Sequence, residues 1–291
     1  MTYSFEQRGS LYSDSFRLYL TKDGQYISPF HDIPLYPDAG EGGLVLNMVV
    51  EVLRYTNAKM EINKELKLNP IKQDVKKGKM RFIANVFPNK GYPWNYGAFP
   101  QTWEDPKNVD QHTGFNGDND PLDVCEISDI IPPAGSVIQV KVLGILAMID
   151  EGETDWKVIA INTADPKISE YTNIQDVERM KPGLLKRTVE WFKYYKVPDG
   201  KPVNQFAFNE EFKDQQFAAE IVKHTHASWK SLIAKEVDNA GISLANTTIQ
   251  LSSEKIPQEG AKELVSQQAP KSEASPLPAT INDLFYVPTG I

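Results

Sequence analysis

Residues 137–162 read VIQVKVLGILAMIDEGETDWKVIAIN, and this stretch decides the fold class. Val137 to Asp150 and Asp155 to Asn162 are β-branched, aliphatic runs flanking Glu151-Gly152-Glu153-Thr154, the pattern of a hairpin. The apolar part is too short to cross a bilayer and contains Gln139 and Lys141. The same texture recurs toward the N-terminus. Phe16 to Leu20 and Gln25 to Ser28 flank a Thr21-Lys22-Asp23-Gly24 turn, Leu44 to Glu61 reads as a long strand or bent strand pair, and Lys79 to Phe87 as another strand. After about residue 165 the period changes. Pro182 suits the first position of a helix, and Leu184, Leu185, Thr188, Trp191, Phe192 and Tyr195 recur at three- and four-residue spacing. A second helix is expected over about Asn209 to Lys235. Strands followed by helices, without βαβ alternation, predict an α+β fold, a strongly bent sheet or barrel covered by helices.

From about Leu251 to Ala279 the composition turns to Ser, Glu, Gln, Lys, Ala and Pro, as in a linker or tail. An apolar knot, Leu284-Phe285-Tyr286-Val287, is expected to pin it down. The expected organisation is one domain over 1–250 with an extension over 251–291. In the whole chain of 291 residues, 41% apolar content suffices for a core. Its 39 acidic residues against 31 basic ones leave a net charge of −8. That balance opposes binding to nucleic acid or to anionic membranes. The single cysteine, Cys125, excludes an internal disulfide. The first twenty residues have no apolar signal region and no Arg-rich transit pattern, so a cytoplasmic location is expected.

The densest chemistry is Gly117-Asp118-Asn119-Asp120-Pro121-Leu122-Asp123-Val124. Three carboxylates within six residues repel one another unless cations intervene. A solvated acidic turn is the plain reading. A calcium loop of the EF-hand kind fails, because Asp123 stands where glycine is required and Asp129 where glutamate is. Magnesium fits hard oxygen ligands, whereas the sparse histidines, with His224 and His226 two residues apart, speak against zinc or iron. Further carboxylates stand beside cations: Glu51, Lys59 and Glu61 share parity, as do Asp155 and Lys157, while Asp150 and Asp155 bracket the hairpin turn. Arg81 interrupts an apolar strand. Cys125 is expected to be a buried structural thiol.

Taken together, these segments resemble the soluble inorganic pyrophosphatases of the eukaryotic, fungal-like cytosolic type over about residues 3–246. The resemblance rests on Asp118-Asn119-Asp120-Pro121-Leu122-Asp123-Val124, together with Glu51, Asn57 to Glu61, Arg81, Gly91-Tyr92, Asn95 to Pro106, Asp150, Asp155-Trp156-Lys157 and Tyr195-Lys196 in family order. Pro93 departs from the aliphatic residue expected after Tyr92. The resemblance implies a five-stranded barrel of the oligonucleotide/oligosaccharide-binding type with flanking helices and extra N- and C-terminal segments, a homodimer, and Mg2+-dependent hydrolysis of pyrophosphate to two orthophosphates.

By the same resemblance Asp118, Asp123 and Asp155 hold activating Mg2+ ions, with Asp123 shared between two, and Asp150 and Glu61 hold ions that arrive with substrate. Several ions per site are implied, and replacement by other divalent ions stays open. Asp120 is the base for a metal-bridging water. Arg81, Tyr195 and Lys196 bind phosphates, and Lys59, Lys157 and Tyr96 complete the cationic and hydroxyl side. Tyr92 and Glu51 match site positions, and for Glu51 an ordering role on Lys59 or Arg81 is the alternative. A magnesium phosphatase for nucleotides is the competing enzyme reading, against which stands the absence of a Walker A loop. A non-catalytic anion-binding barrel is the third.

Overall fold

The architecture is seen in a computed structural model that describes residues 2–37 and 44–290. Five strands dominate it: β1 (Val45–Val52), β2 (Asn95–Ala98), β3 (Asp123–Glu126), β4 (Val137–Asp150) and β5 (Glu153–Asn162). β1 lies antiparallel between β4 and β2, β2 pairs antiparallel with β3, and β3 pairs parallel with β5. The β4–β5 hairpin then joins the two ends, so the path of pairing returns to its start. The turn is tighter than the sequence suggests. Only Glu151 and Gly152 leave the ladder, both with left-handed φ (50° and 93°), the backbone of a two-residue hairpin, and Glu153 and Thr154 belong to β5.

Alternation along these strands feeds two apolar clusters. Trp156, Val158 and Ala160 of β5 pack with Val124, Met48 and Val50 and with Ala218, Ile221 and Val222 of α3 (Gln215–Ile233). Ile159 and Ile161 face the other way, with Cys125, Tyr96 and Val49, toward Trp191 and Phe192 of α2 (Leu184–Tyr194), which follows the short α1 (Ile174–Met180). Parity therefore puts Asp155 and Lys157 on the α2 side. β4 changes parity within itself: Val140 and Val142, then Ile145 and Ala147, reach the α3 cluster, because a bulge falls between Val142 and Gly144. The expected second helix starts later than its apolar period implies. Asn209 adopts a left-handed φ of 55°, and Asp214 caps α3 by accepting from the Phe217 N–H.

Two expected strands are interrupted. The run from residue 44 to residue 61 breaks after Val52, where Tyr55 takes a φ of 65°, and resumes as Met60–Ile62 in a separate sheet with Ile71–Gln73, Arg17–Lys22, Gln25–Ile27 and Tyr3–Arg8. Within 79–87 only Lys79–Met80 and Asn85–Val86 are strand, so Arg81 is not a strand residue. Its carbonyl oxygen accepts from Lys59 N and Gln73 Nε2, which holds it in an irregular turn. The stretch with linker composition forms a helix over Gln258–Ser266, whose Ala261 and Val265 are buried with Tyr19 and Leu68. The C-terminal knot is held by backbone pairing of Leu284–Phe285 with Asn85–Val86, and Leu284 and Tyr286 stay exposed.

Gly97 permits the closest approach of β1 and β2: a Cβ there would stand 1.9 Å from the Val49 carbonyl oxygen. Gly97→Ala should therefore cost at least about 3 kcal/mol in urea unfolding. Gly24→Ala, in open space at a φ of 80°, should cost only about 1 kcal/mol. Equal losses would contradict the close strand contact.

Candidate active site

The acidic run is a loop leading into β3, and its shape follows from three local features. Gly117 lets the chain pass against Glu104, where a Cβ would stand 2.5 Å from the Glu104 carbonyl. Asn119, at a φ of 69°, reverses the chain between Asp118 and Asp120, a backbone state that asparagine tolerates. Its side-chain oxygen accepts from Trp103 Nε1 at 2.9 Å, while Asp118 Oδ1 accepts from the Asp120 N–H at 2.9 Å. Backbone bonds of 2.9 Å from Asn119 N to Glu104 O and from Glu104 N to Asp120 O lock the loop to residues 102–104. Asp118, Asp120 and Asp123 thus project toward one cavity.

Opposite the loop, the parallel register sets Asp123 beside Lys157. The Lys157 ammonium, 2% exposed, donates to Asp123, to Asp155 and, at 3.0 Å, to the Tyr96 hydroxyl. Tyr96 in turn donates to Asp123 Oδ2 at 2.5 Å. Burial opposes the charge on Lys157, yet Asp123 and Asp155 hold its pKa well above the ordinary value. For Asp155, burial raises the pKa to about 7 despite Lys157, helped by Asp123 and Asp150. Burial also pushes up Asp118, reinforced by Asp120, Asp155 and Asp123, and Glu51, reinforced by Asp123. These carboxyls are electrostatically crowded.

Apart from Lys157, the cationic side comes from segments outside the five strands. Glu51 Oε1 accepts the Ile62 N–H at 2.6 Å, which draws Met60–Ile62 to β1, and Lys59 pairs with Glu61 at 3.2 Å. Shared parity does not bring these residues together; the bend after Val52 does. Arg81 pairs with Asp74 at 2.9 Å, and Lys196 with Asp150. Tyr195 stacks on Trp191, and Tyr92, 2% exposed, packs against Tyr96 and Trp191. Burial raises the Tyr92 hydroxyl to about 12, keeping it a donor at neutral pH.

One cavity of about 190 Å³ is lined by Lys59, Arg81, Tyr92, Tyr96, Asp118, Asp120, Asp123, Asp150, Asp155, Lys157, Tyr195 and Lys196, twelve of the fourteen residues singled out in the sequence. The other two, Glu51 and Glu61, line an adjoining recess that shares Lys59, Tyr96, Asp120 and Asp123. Cys125 is buried, and burial raises its thiol pKa. His226 is buried against Trp229 and bonded to the Gln101 carbonyl oxygen, while the exposed His224 contacts Asn108. Neither histidine lines the cavity.

Three further residues belong to this electrostatic unit. Lys64 pairs with Asp120 and donates to the Asn119 carbonyl oxygen at 3.0 Å, and Asp74 anchors Arg81. Glu104 is 4% exposed; its Oε1 accepts the Trp156 N–H at 3.1 Å and its Oε2 has no hydrogen-bond partner among the described residues. Oxygens of Glu104, Asp118 and Asp155 lie within 4.8 Å of one another. Asp150 Oδ1 is likewise buried and unpartnered. Orphaned carboxylate oxygens in a crowded, all-oxygen set fit a hard divalent cation. Glu104 could have been suspected from its place in the Trp103-Glu104-Asp105-Pro106 segment, but burial was its decisive feature and no periodicity signals it.

The family profile for inorganic pyrophosphatase matches residues 48–230. An inorganic pyrophosphatase of Mus musculus is 56% identical over 98% of both chains, and one of Neurospora crassa is 50% identical over 98% of this chain and 97% of that one. The solved structure of inorganic pyrophosphatase from Schistosoma japonicum superposes with a TM-score of 0.92 at 51% identity, covering 98% of this chain and 100% of that chain. This chain belongs to the inorganic pyrophosphatase family. It is an enzyme, an inorganic diphosphatase, and no helix among its described residues is long and apolar enough to cross a membrane.

Asp155 gives the metal-free diphosphatase a defined pH response. Its folded pKa of about 7 lies above the ordinary value of 3.8, so the folded chain holds a proton that the unfolded chain releases between those values. The associated stabilisation is full below about pH 4 and is lost as pH rises through about 7. In EDTA, Tm should fall by a few degrees between pH 5 and pH 8, measured by calorimetry. A Tm that is flat or rises over this interval would contradict the crowding of these carboxyls.

Proposed function

We propose that this diphosphatase hydrolyses pyrophosphate to two orthophosphates with Mg2+ as cofactor, by direct attack of water on phosphorus with Asp120 as base. The observation that carries the reading is the convergence of carboxylates and cations on one small cavity of about 190 Å³. Pockets for larger organic ligands span roughly 300–1,000 Å³, so the size favours a compact inorganic anion over a nucleotide. Asp118, Asp123 and Asp155 would hold the activating ions, with Asp150 and Glu61 serving ions that arrive with substrate. Bound Mg2+ would neutralise the substrate and make water acidic enough to be deprotonated near neutral pH.

The chain's own residues then have distinct tasks. Asp120 accepts a proton from the attacking water as the new P–O bond forms and the bridging P–O bond breaks. Arg81, Lys196 and Tyr195 offer donors to the phosphate that departs with the bond's electrons, and Lys59 and Tyr92 orient the other. Lys157 neutralises Asp123 and Asp155 from behind and keeps Tyr96 aimed at Asp123. Glu51 orders Lys59 and Glu61 through its bond to Ile62. We also read the cyclic pairing of β1 to β5 as a five-stranded barrel of the oligonucleotide/oligosaccharide-binding type. A catalytic domain over 1–250 with a C-terminal extension, a homodimer and a cytoplasmic location complete the proposal.

Phosphate release from pyrophosphate and from ATP, each with Mg2+ or EDTA, tests the reading. Pyrophosphate with Mg2+ should turn over far faster than the other three, and preference for ATP would overturn it. Asp120→Asn should lower kcat by about 10²–10⁴-fold with the fold and Mg2+ binding retained. Unchanged release would remove Asp120 from the base role.

A further inference from the structure

Lys59, Arg81 and Tyr92 reach the cavity from three separate irregular segments, none of them in the five-strand path. These segments meet at one buried side chain. Asn85, 3% exposed, uses every hydrogen-bonding position of its amide. Its Oδ1 accepts from Asn57 Nδ2 at 2.7 Å and from the Gly91 N–H at 2.9 Å. Its Nδ2 donates to the carbonyl oxygens of Ile281 at 2.9 Å and Asp283 at 3.1 Å. Asn57 lies two residues before Lys59 and also donates to the Ile83 carbonyl oxygen at 2.7 Å, and Gly91 immediately precedes Tyr92. On the other side the amide is gripped by the C-terminal segment, whose Leu284–Phe285 strand runs parallel to Asn85–Val86 while Phe285 O accepts the Phe87 N–H at 2.9 Å. Pro198, two residues beyond Lys196, lines the same cleft of about 270 Å³ as Phe82, Ile83, Ile281 and Leu284.

We propose that residues 278–286 act as a clamp that positions the phosphate-binding side chains Lys59, Arg81 and Tyr92, with Asn85 as the positioning residue that transmits the hold. The physical reason is that these segments are bonded largely to one another and to the C-terminal edge. Lys59 N donates to Arg81 O at 3.2 Å, Ile83 N to Asn57 O at 2.7 Å and Tyr92 N to Thr56 O at 3.1 Å, so the three segments form one unit, and Asn85 with the edge pairing of Leu284–Phe285 ties that unit to the C-terminus. The carboxylates of the acidic loop are held independently, by residues 102–104 and by β5. Loosening the clamp therefore weakens substrate binding and leaves cation binding intact. The inference rests on the reading that Lys59, Arg81 and Tyr92 bind substrate phosphate.

The test uses full-length Asn85→Ala and, separately, Phe285→Pro, which removes a ladder N–H and leaves Asn85 in place. Arg81→Lys serves as the control for the underlying reading. Both clamp variants should raise KM for magnesium pyrophosphate about tenfold with kcat within about threefold, and Mn2+ affinity measured by equilibrium dialysis without substrate should not change. A KM within about twofold of the parent for Phe285→Pro, or a loss of Mn2+ affinity parallel to the rise in KM, would overturn the clamp. If Asn85→Ala does not fold, Phe285→Pro decides alone. A raised KM in Arg81→Lys beside normal clamp variants refutes the clamp and leaves the substrate reading standing; a normal KM in Arg81→Lys refutes both.

Discussion

The structure of the site depends on one buried ammonium. Lys157 stands between Asp123 and Asp155 at the junction of β3 and β5, and it neutralises two carboxylates that could not otherwise share so little space. Removing one member of such a buried set commonly costs about 3–5 kcal/mol, because the remaining charges lose compensation. The parallel register of β3 and β5 makes this contact possible, and the strand parity that places Ile159 and Ile161 in the α2-side core aims Lys157 the same way. Core packing and site geometry are thus the same constraint. One lysine does not suffice for the whole cluster: Asp118, Glu104 and Asp155 keep raised pKa values, and oxygens of Glu104 and Asp150 have no partner among the described residues. The net charge of −8 is in part local to this crowded carboxyl cluster.

The two halves of the site have different structural origins. Asp118, Asp120, Asp123, Asp150 and Asp155 sit on or beside β3, β4 and β5, the most regular part of the fold. Apart from Lys157 on β5 and Tyr96 on β2, the cationic and hydroxyl side chains come from the bend after Val52, the irregular segment around Arg81, the approach to β2 and the C-terminal end of α2. Regular pairing fixes positions firmly, and irregular segments need side-chain bonds such as those of Glu51, Asp74 and Asn85 to do so. Under the proposed roles of these residues, cation affinity and phosphate affinity would be separable.

Much of this was legible in the sequence where chemistry and period agree. The acidic run, the Asp155/Lys157 parity and the helical period carrying Trp191 and Tyr195 each follow from local spacing, and the structure sets Asp118, Asp120, Asp123, Asp155, Lys157, Trp191 and Tyr195 at one cavity. What escaped the sequence depends on non-local contact. Glu51, Lys59 and Glu61 meet through a reversal at Tyr55, which no side-chain period encodes. Arg81 reads as a strand residue because its neighbours are apolar, yet its backbone is satisfied by Asp74, Lys59 and Gln73. No periodicity marks Glu104, because its environment is made by residues 117–120 and β5. The tail composition of 251–291 hides Ala261 and Val265, two small apolar residues that dock a helix on Tyr19 and Leu68.

A crowded carboxyl cluster holds protons that entering divalent cations should displace. Calorimetric titration of Mg2+ into the metal-free enzyme at pH 6.5, repeated in buffers of different ionisation enthalpy, measures those protons directly. Release of about one proton or more per chain is expected, diminishing as pH rises above about 7, where Asp155 is already ionised without metal. Binding without proton release at pH 6.5, or no binding, would contradict it.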